Sequence, residues 1–313
     1  MTNSDNLNIE NDKQETSLPL TFIERHNISP VFFALLAISI LFVMYQGIGG
    51  IITLLFVGFK FDETNVGLIR LITIFGQIIL LLIPALIFSK FVTHKVSSYL
   101  KVNGARVLLY FLTIVGIFSL QQILQVYLYF QEMIPLPDNL QQLLQKLKDS
   151  IESSYKLVAG AKNFPELLVV MFTVALVPSI VEETVFRGFL QNTLEKSLNP
   201  IKSILFSSLI FGVFHLNPIN LIPLFIMGIY LGFIYYQSNS LIIPILAHFC
   251  NNIFAVISIY FDQENETLIG IQENNVSSGL LLMNFAFFGF IFLFSLYYFI
   301  KISNLSTKTI EGA

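Results

Sequence analysis

The sequence predicts an all-α, polytopic membrane protein of about eight transmembrane helices. Three observations carry this reading. The 313-residue chain is 55% hydrophobic and only 12% charged, where a soluble domain runs at about 25% charged. Its mean hydropathy is +0.74. Its apolar residues gather into segments close to the roughly 20 residues that a helix needs to cross the hydrocarbon core. A net charge of −3 gives no basic surface for nucleic acid, so the partners expected are the bilayer and whatever the bundle binds.

Residues 1–30 are polar and rich in Asn, Asp and Glu, and read as a disordered tail. No basic segment leads into a short apolar core with a small-residue cleavage site, so no signal peptide is expected and the first span would act as the insertion signal. The transmembrane bundle is expected over 31–303. Its spans fall at 31–59, 67–91, 106–130, 164–187, 201–216, 221–237, 241–261 and 279–300, and a tail follows at 304–313. The first span is overlong and contains Gly47-Ile48-Gly49-Gly50, where a kink or an end is expected. The fifth and sixth are short and separated by Asn217-Pro218-Ile219-Asn220. Between the third and fourth, Leu140, Leu143, Leu144, Leu147 and Ile151 recur at helical spacing, which predicts an amphipathic helix lying in the membrane interface. Gly228 and Gly232 form a small-xxx-small pair suited to close helix packing. Cys250 is the single cysteine, so no intrachain disulfide forms and it reads as a small packing residue.

Loop charges orient the bundle. Lys90, Lys95, Lys101 and Arg106 flank the second-to-third loop, Arg187, Lys196 and Lys202 the fourth-to-fifth connection, and Lys301 and Lys308 follow the last span. Asp62 and Glu63 follow the first span, and Asp262, Glu264, Glu266 and Glu273 the seventh. Basic loops stay cytoplasmic. A multi-pass protein of the cell membrane with both termini cytoplasmic satisfies every loop, and places 131–163 and 262–278 outside.

Chemistry concentrates at Val181-Glu182-Glu183-Thr184-Val185-Phe186-Arg187, directly after the uncharged stretch 167–180. An ionised side chain at mid-membrane costs about 2.5–3.5 kcal/mol on insertion scales, so three together need a reason. On a helix Glu182 and Glu183 point about 100° apart. Glu183 and Arg187 are i,i+4 and can pair, which leaves Glu182 to face a cavity. Pro178 should bend the segment just before it. The bland alternative is that these charges are solvated at a helix end. His215 follows Phe211 by four residues, so an aromatic ring can lie beside the imidazole. His248 and Asn252 share a face, and Asn251 lies about 100° off it. A lone His in an apolar helix is as often a satisfied buried group as a working one, but Glu and His together inside a membrane are the raw material of proton transfer or metal binding. His26 and His94 lie in a tail and a loop and need no role.

The three motifs, Glu-Glu-x-x-x-Arg at 182–187, Phe-x-x-x-His at 211–215 and His-x-x-x-Asn at 248–252, resemble in order and content the signatures of the CAAX-protease and bacteriocin-processing (Abi, CPBP) family. The Ras-converting type of CAAX endopeptidase is a member. The resemblance covers 164–261, the expected catalytic core, and every motif position is filled. It implies an intramembrane endopeptidase whose cavity opens toward the cytoplasm. Glu182 and His215 would activate a water, His248 and Asn252 would stabilise the oxyanion, and Glu183 and Arg187 would support the site. The substrate would be a peptide or a membrane protein. The Ile-, Asn- and Phe-rich composition resembles that of an AT-rich bacterial genome, where a peptide precursor or membrane protein suits better than a prenylated CAAX protein. No His is followed by Glu, so HExxH is absent, and no Asp lies in a span, which removes an aspartyl dyad.

Two other functions fit the same residues. A non-catalytic relative would act as a peptide-binding scaffold or bacteriocin-immunity protein, though such a protein would be free to lose a motif position. A proton-coupled transporter would use Glu182 alone, but the internal repeat common in such folds is absent. Zinc could be held by Glu182, His215 and His248. These come from three separate segments, and Asn252 is a poor zinc ligand and a good donor. The inventory therefore suits a metal-free Glu–His water with a His–Asn oxyanion site slightly better.

Overall fold

The computed structural model describes residues 19–262 and 277–311, and among them every regular element is a helix. In chain order these are α1 (Phe22–Arg25), α2 (Pro30–Val57), α3 (Val66–Val92), α4 (Val96–Tyr99), α5 (Val107–Glu132), α6 (Asp138–Ala159), α7 (Phe164–Glu195), α8 (Pro200–Phe214), α9 (Leu221–Ser238), α10 (Ile242–Asp262) and α11 (Ser278–Glu311). Among the described residues seven helices are long and apolar enough to cross a membrane, and α8 is a shorter apolar eighth. All eight expected spans are therefore present, and the protein is a multi-pass, all-α membrane protein.

Three details differ from the sequence reading. The expected disordered tail lies outside the described residues only over 1–18. Residues 19–30 are ordered. Thr21 and Glu24 cap α1, Ile23 is buried in the main core, and the Phe22 ring lies 5.0 Å from that of Phe91. The first span does not end at its glycines. α2 runs on through a wide π-helical turn, Val43–Gly49, and stops at Gly58, whose φ of +78° suits a residue without Cβ. The last helix continues to Glu311, through most of the expected tail. The acidic side chains of the α10–α11 loop fall outside the described residues.

α3 and α7 each carry a π-helical turn, Gln77–Leu82 and Met171–Leu176, immediately ahead of Pro84 and Pro178. A proline lacks the N–H of an α-helical bond and its ring crowds the carbonyl four residues back. Widening the preceding turn relieves that clash while the helix continues. α7 has a second such turn, Thr184–Gln191, which carries Arg187.

α8 and α9 form a tight antiparallel hairpin. A Cβ placed on Gly228 would lie 2.9 Å from Ser208 Cβ and 3.0 Å from its Cα, and one on Gly232 would lie 2.8 Å from Gln191 Oε1. The glycine pair is thus a packing device, as expected. Arg70 of α3 is also buried. It donates to Val158 O at 2.9 Å and to Gly160 O, and pairs with Glu166 at 2.9 Å. This residue ties the end of α6 to the starts of α3 and α7.

Gly228→Ala should be destabilising, by about 1–3 kcal/mol for an overpacked site that only backbone movement can relieve. Gly50→Ala meets nothing within 4 Å and should be neutral or stabilising. Thermal unfolding of the detergent-solubilised protein measures both, and equal losses would contradict the packing account.

Candidate active site

The candidate functional residues come from three helices. α7 brings Glu182, Glu183 and Arg187. α8 ends at His215, which occupies its C-cap and is followed by Leu216 at φ +51°. α10 brings His248, Asn251 and Asn252. α8 has 15 residues, about 22 Å of helix against a hydrocarbon core of about 30 Å. A helix of this length that starts at one membrane interface ends short of the other. Irregular backbone is tolerated there only beside a cavity or protein. The turn is held accordingly: Gln46 Nε2 donates to Phe214 O at 2.9 Å, Gln131 Nε2 to Ile219 O at 3.0 Å, and Asn217 Oδ1 accepts from the Ile219 and Asn220 N–H groups.

Glu183 and Arg187 are fully buried, so the reading of charges solvated at a helix end is set aside. Glu183 Oε1 accepts from Arg187 at 2.9 Å and lies 2.8 Å from His248 Nδ1. Arg187 also donates to Gly228 O at 3.1 Å and lies 4.6 Å over the Phe211 ring. One carboxylate therefore joins α7 to α10, and its guanidinium partner joins α7 to α9. The Phe211 ring stands edge-on to both imidazoles, 4.6 Å from His215 and 6.0 Å from His248.

Glu182 faces the two histidines. Its Oε2 lies 3.6 Å from His215 Nε2 and 4.0 Å from His248 Nε2. Hydrogen-bond bookkeeping fixes the tautomers. His215 Nδ1 sits 2.7 Å from Phe211 O, which can only accept, so Nδ1 carries the proton. His248 Nδ1 faces the Arg187-paired Glu183 carboxylate, so it too is the donor. In the neutral rings both Nε2 lone pairs then converge on Glu182 Oε2, a buried oxygen that no hydrogen bond from the described residues satisfies. Three acceptors meeting at one point need a proton, a water or a cation between them.

This donor set is the right kind for zinc, and each histidine has the outer partner that zinc-bound histidines normally have. The spacing is looser than a closed site, and among the described residues no three His, Cys, Asp or Glu side chains form a metal-binding group.

A cavity of about 460 Å³ opens beside His215. Its wall carries five carboxamides, Gln121, Gln125, Asn217, Asn220 and Asn251, and Glu152 and Tyr155 of α6 close one side. Asn252, expected on the His248 face, has its Nδ2 3.5 Å from Val174 O of α7. Asn251, expected off that face, lines the cavity and donates to Asn252 Oδ1 at 3.2 Å. Gln121 of α5 in turn donates to Asn251 O at 3.1 Å. The sequence reading passed over Gln46, Gln121 and Arg70, although polar residues in apolar spans normally face the bundle interior and could have been found on that ground.

Residues 164–254 match a family model described as Type II CAAX prenyl endopeptidase Rce1-like. A protein of Bacillus subtilis (strain 168) named "Putative membrane peptidase YdiL" is 34% identical over 83 residues, which are 26% of this chain and 34% of that protein. The chain thus matches about a third of the length of this curated relative. No solved structure gives a significant match. The matched segment holds all three motifs, and the fold gathers Glu182, Glu183, Arg187, His215 and His248 into one buried cluster: through this core the chain is similar to the CAAX prenyl endopeptidases.

Proposed function

We propose that the protein is an intramembrane endopeptidase that cleaves a peptide or membrane-protein substrate. The observation that carries this is the convergence of Glu182 Oε2 with both His Nε2 atoms inside an apolar bundle. A water donating one O–H to Glu182 and one to His215 Nε2 has its oxygen lone pair free. As it attacks the peptide carbonyl carbon, Glu182 takes its proton. The carbonyl oxygen becomes an oxyanion, held by the Asn252 amide and by His248. Nε2 of His248 donates to it only when the ring carries both protons. Collapse breaks the C–N bond, and Glu182 returns the proton to the leaving amine. Low dielectric strengthens each of these interactions.

Zinc, where bound, would be held by Glu182, His215 and His248, and would supply Lewis acidity and a more acidic bound water. The metal-free reading is supported by the donor set, since Asn252 on the same helix as His248 is a good hydrogen-bond donor and a poor zinc ligand. The carboxamide-rich cavity wall suits an extended peptide, whose N–H and C=O groups it can match. We place the enzyme in the cell membrane with both termini cytoplasmic, on the loop charges.

Glu182→Gln and His215→Ala should each reduce cleavage by at least about 10²-fold while the protein still accumulates. Comparing membrane proteomes of cells carrying wild type or Glu182→Gln should reveal a peptide released only by the wild type. Near wild-type cleavage of that substrate by Glu182→Gln would falsify the assignment. Glu183→Gln keeps the shape but removes the charge that orients His248, and should lower kcat about 10–100-fold.

Asn252→Ala should lower kcat by about 10²–10³ with little change in KM, as expected of an oxyanion donor. Asn251→Ala should act more on KM, since it lines the cavity. Equal losses in kcat at both positions contradict the division.

Elemental analysis of purified active protein separates the two forms of the chemistry. The metal-free reading expects full activity after chelation. One zinc per chain, with activity lost on chelation and restored by zinc, replaces it with the metal form.

A further inference from the structure

Two π-helical turns from outside the matched segment reach the Glu182 stretch. The turn Val43–Gly49 of α2 packs on the turn Gln77–Leu82 of α3, and that turn packs on Val177–Glu183 of α7. A π-helical turn is rare and falls frequently at functional sites. These two carry three polar side chains, Tyr45, Gln46 and Gln77, at the centre of apolar spans. Polar groups at such positions face the bundle interior and have work there. Gln46 has its task, since it holds Phe214 O. Tyr45 and Gln77 do not yet have one.

The Tyr45 ring lies nearly parallel to that of Phe214, at 15° and with 6.5 Å between centroids, and Phe214 directly precedes His215. The ring also covers Gly76, where an added Cβ would come 3.6 Å from Tyr45 Cε2. The bare Cα of Gly76 thus lets the ring lie against α3, beside Gln77. There the phenol meets the Gln77 carboxamide and stands within the field of the Glu182 carboxylate. Gln77 is 5% exposed, and its Oε1 has no hydrogen-bond partner among the described residues. Glu182 Oε2 is in the same state. Tyr45, Gln46, Gly49 and Gly76 also line a cavity of about 550 Å³ between α2 and α3, which leaves the ring room to turn toward Glu182.

Glu183 owes its fixed direction to Arg187 and His248. Glu182 has no such partner on α7, and the last torsion of a Glu side chain is soft. A phenol is a good donor and, at neutral pH, not a base, so it can hold a carboxylate without competing for the proton. We propose that Tyr45 is a positioning residue: its phenol, set by Gln77 and by the Phe214 stack, donates to Glu182 Oε1 and keeps Oε2 turned to the attacking water and His215. This rests on the proposed endopeptidase reading, and it brings into that reaction a helix that the family match does not cover.

The test uses the full-length protein in detergent and a synthetic peptide spanning the cleavage site found by the proteome comparison, labelled with a fluorophore and a quencher. Tyr45→Phe keeps the ring and its packing and removes only the donor. It should lower kcat about 10–100-fold, as for a hydrogen bond to a charged group, with KM within about twofold of wild type and thermal unfolding unchanged. Gln77→Leu should lower kcat less. The double variant should be no slower than Tyr45→Phe, because Gln77 acts through the phenol. A wild-type kcat for Tyr45→Phe overturns the inference, as does a loss confined to KM. Losses that multiply in the double variant overturn the link through Gln77. Tyr45→Phe at the wild-type rate beside an inactive Glu182→Gln removes this inference and leaves the endopeptidase standing, whereas an active Glu182→Gln removes the endopeptidase reading itself.

Discussion

The site depends on the Glu183 carboxylate, a charge with no exposed surface in an apolar bundle. Leaving such a charge unpaired costs several kcal/mol, and removing either partner of a buried pair is strongly destabilising. Here one oxygen serves both Arg187 and His248, and Arg187 spends its remaining capacity on Gly228 O and the Phe211 face. The consequence is architectural as well as chemical. α7, α9 and α10 are fixed relative to one another by one charge group, and the His248 ring is held with Nε2 toward Glu182. The backbone carbonyl of Phe211 performs the same orienting task for His215. Glu182 alone is left uncommitted, which is the condition a general base needs.

Burial on this scale also explains the glycines and small polar residues around the cluster. Arg187 reaches Gly228 O because α8 and α9 approach to within the reach of a bare Cα, with Ser208 opposite. Ser207 donates to Phe186 O at 2.9 Å, bringing α8 against the π-helical turn of α7. Inside a membrane small residues of this kind let backbones come close and leave each polar group a protein partner.

Much of this was legible in the sequence. The spans announce themselves by length and hydropathy, because in hydrocarbon only a helix satisfies its own backbone. The Glu183–Arg187 pair and the edge-on Phe211–His215 contact follow from four-residue spacing alone. The His248–Glu183 bond did not, since it joins residues 65 apart. Helical facing also left open what Asn251 meets. Facing arguments assume one regular helix and say nothing of which neighbour lies opposite, and here α5 supplies Gln121 on the Asn251 side. Arg70 was hidden for a related reason: its partners are two carbonyls and a carboxylate some ninety residues on. The π-helical turns before Pro84 and Pro178 leave no signal beyond the prolines themselves.

α8 has a consequence for the lipid around it. Ile201, Leu205, Phe206, Leu209 and Val213 are exposed along it, so this helix borders the acyl chains. At about 22 Å it is several Å shorter than the core it adjoins. A bilayer meets such a mismatch by thinning locally, at a modest cost for each ångström. The His215 turn then sits under a depression in the membrane rather than beneath its full depth. Acyl-chain length thus becomes a variable of the proposed reaction: a thin bilayer would bring interfacial water and substrate close to Glu182, and a thick one would hold them away.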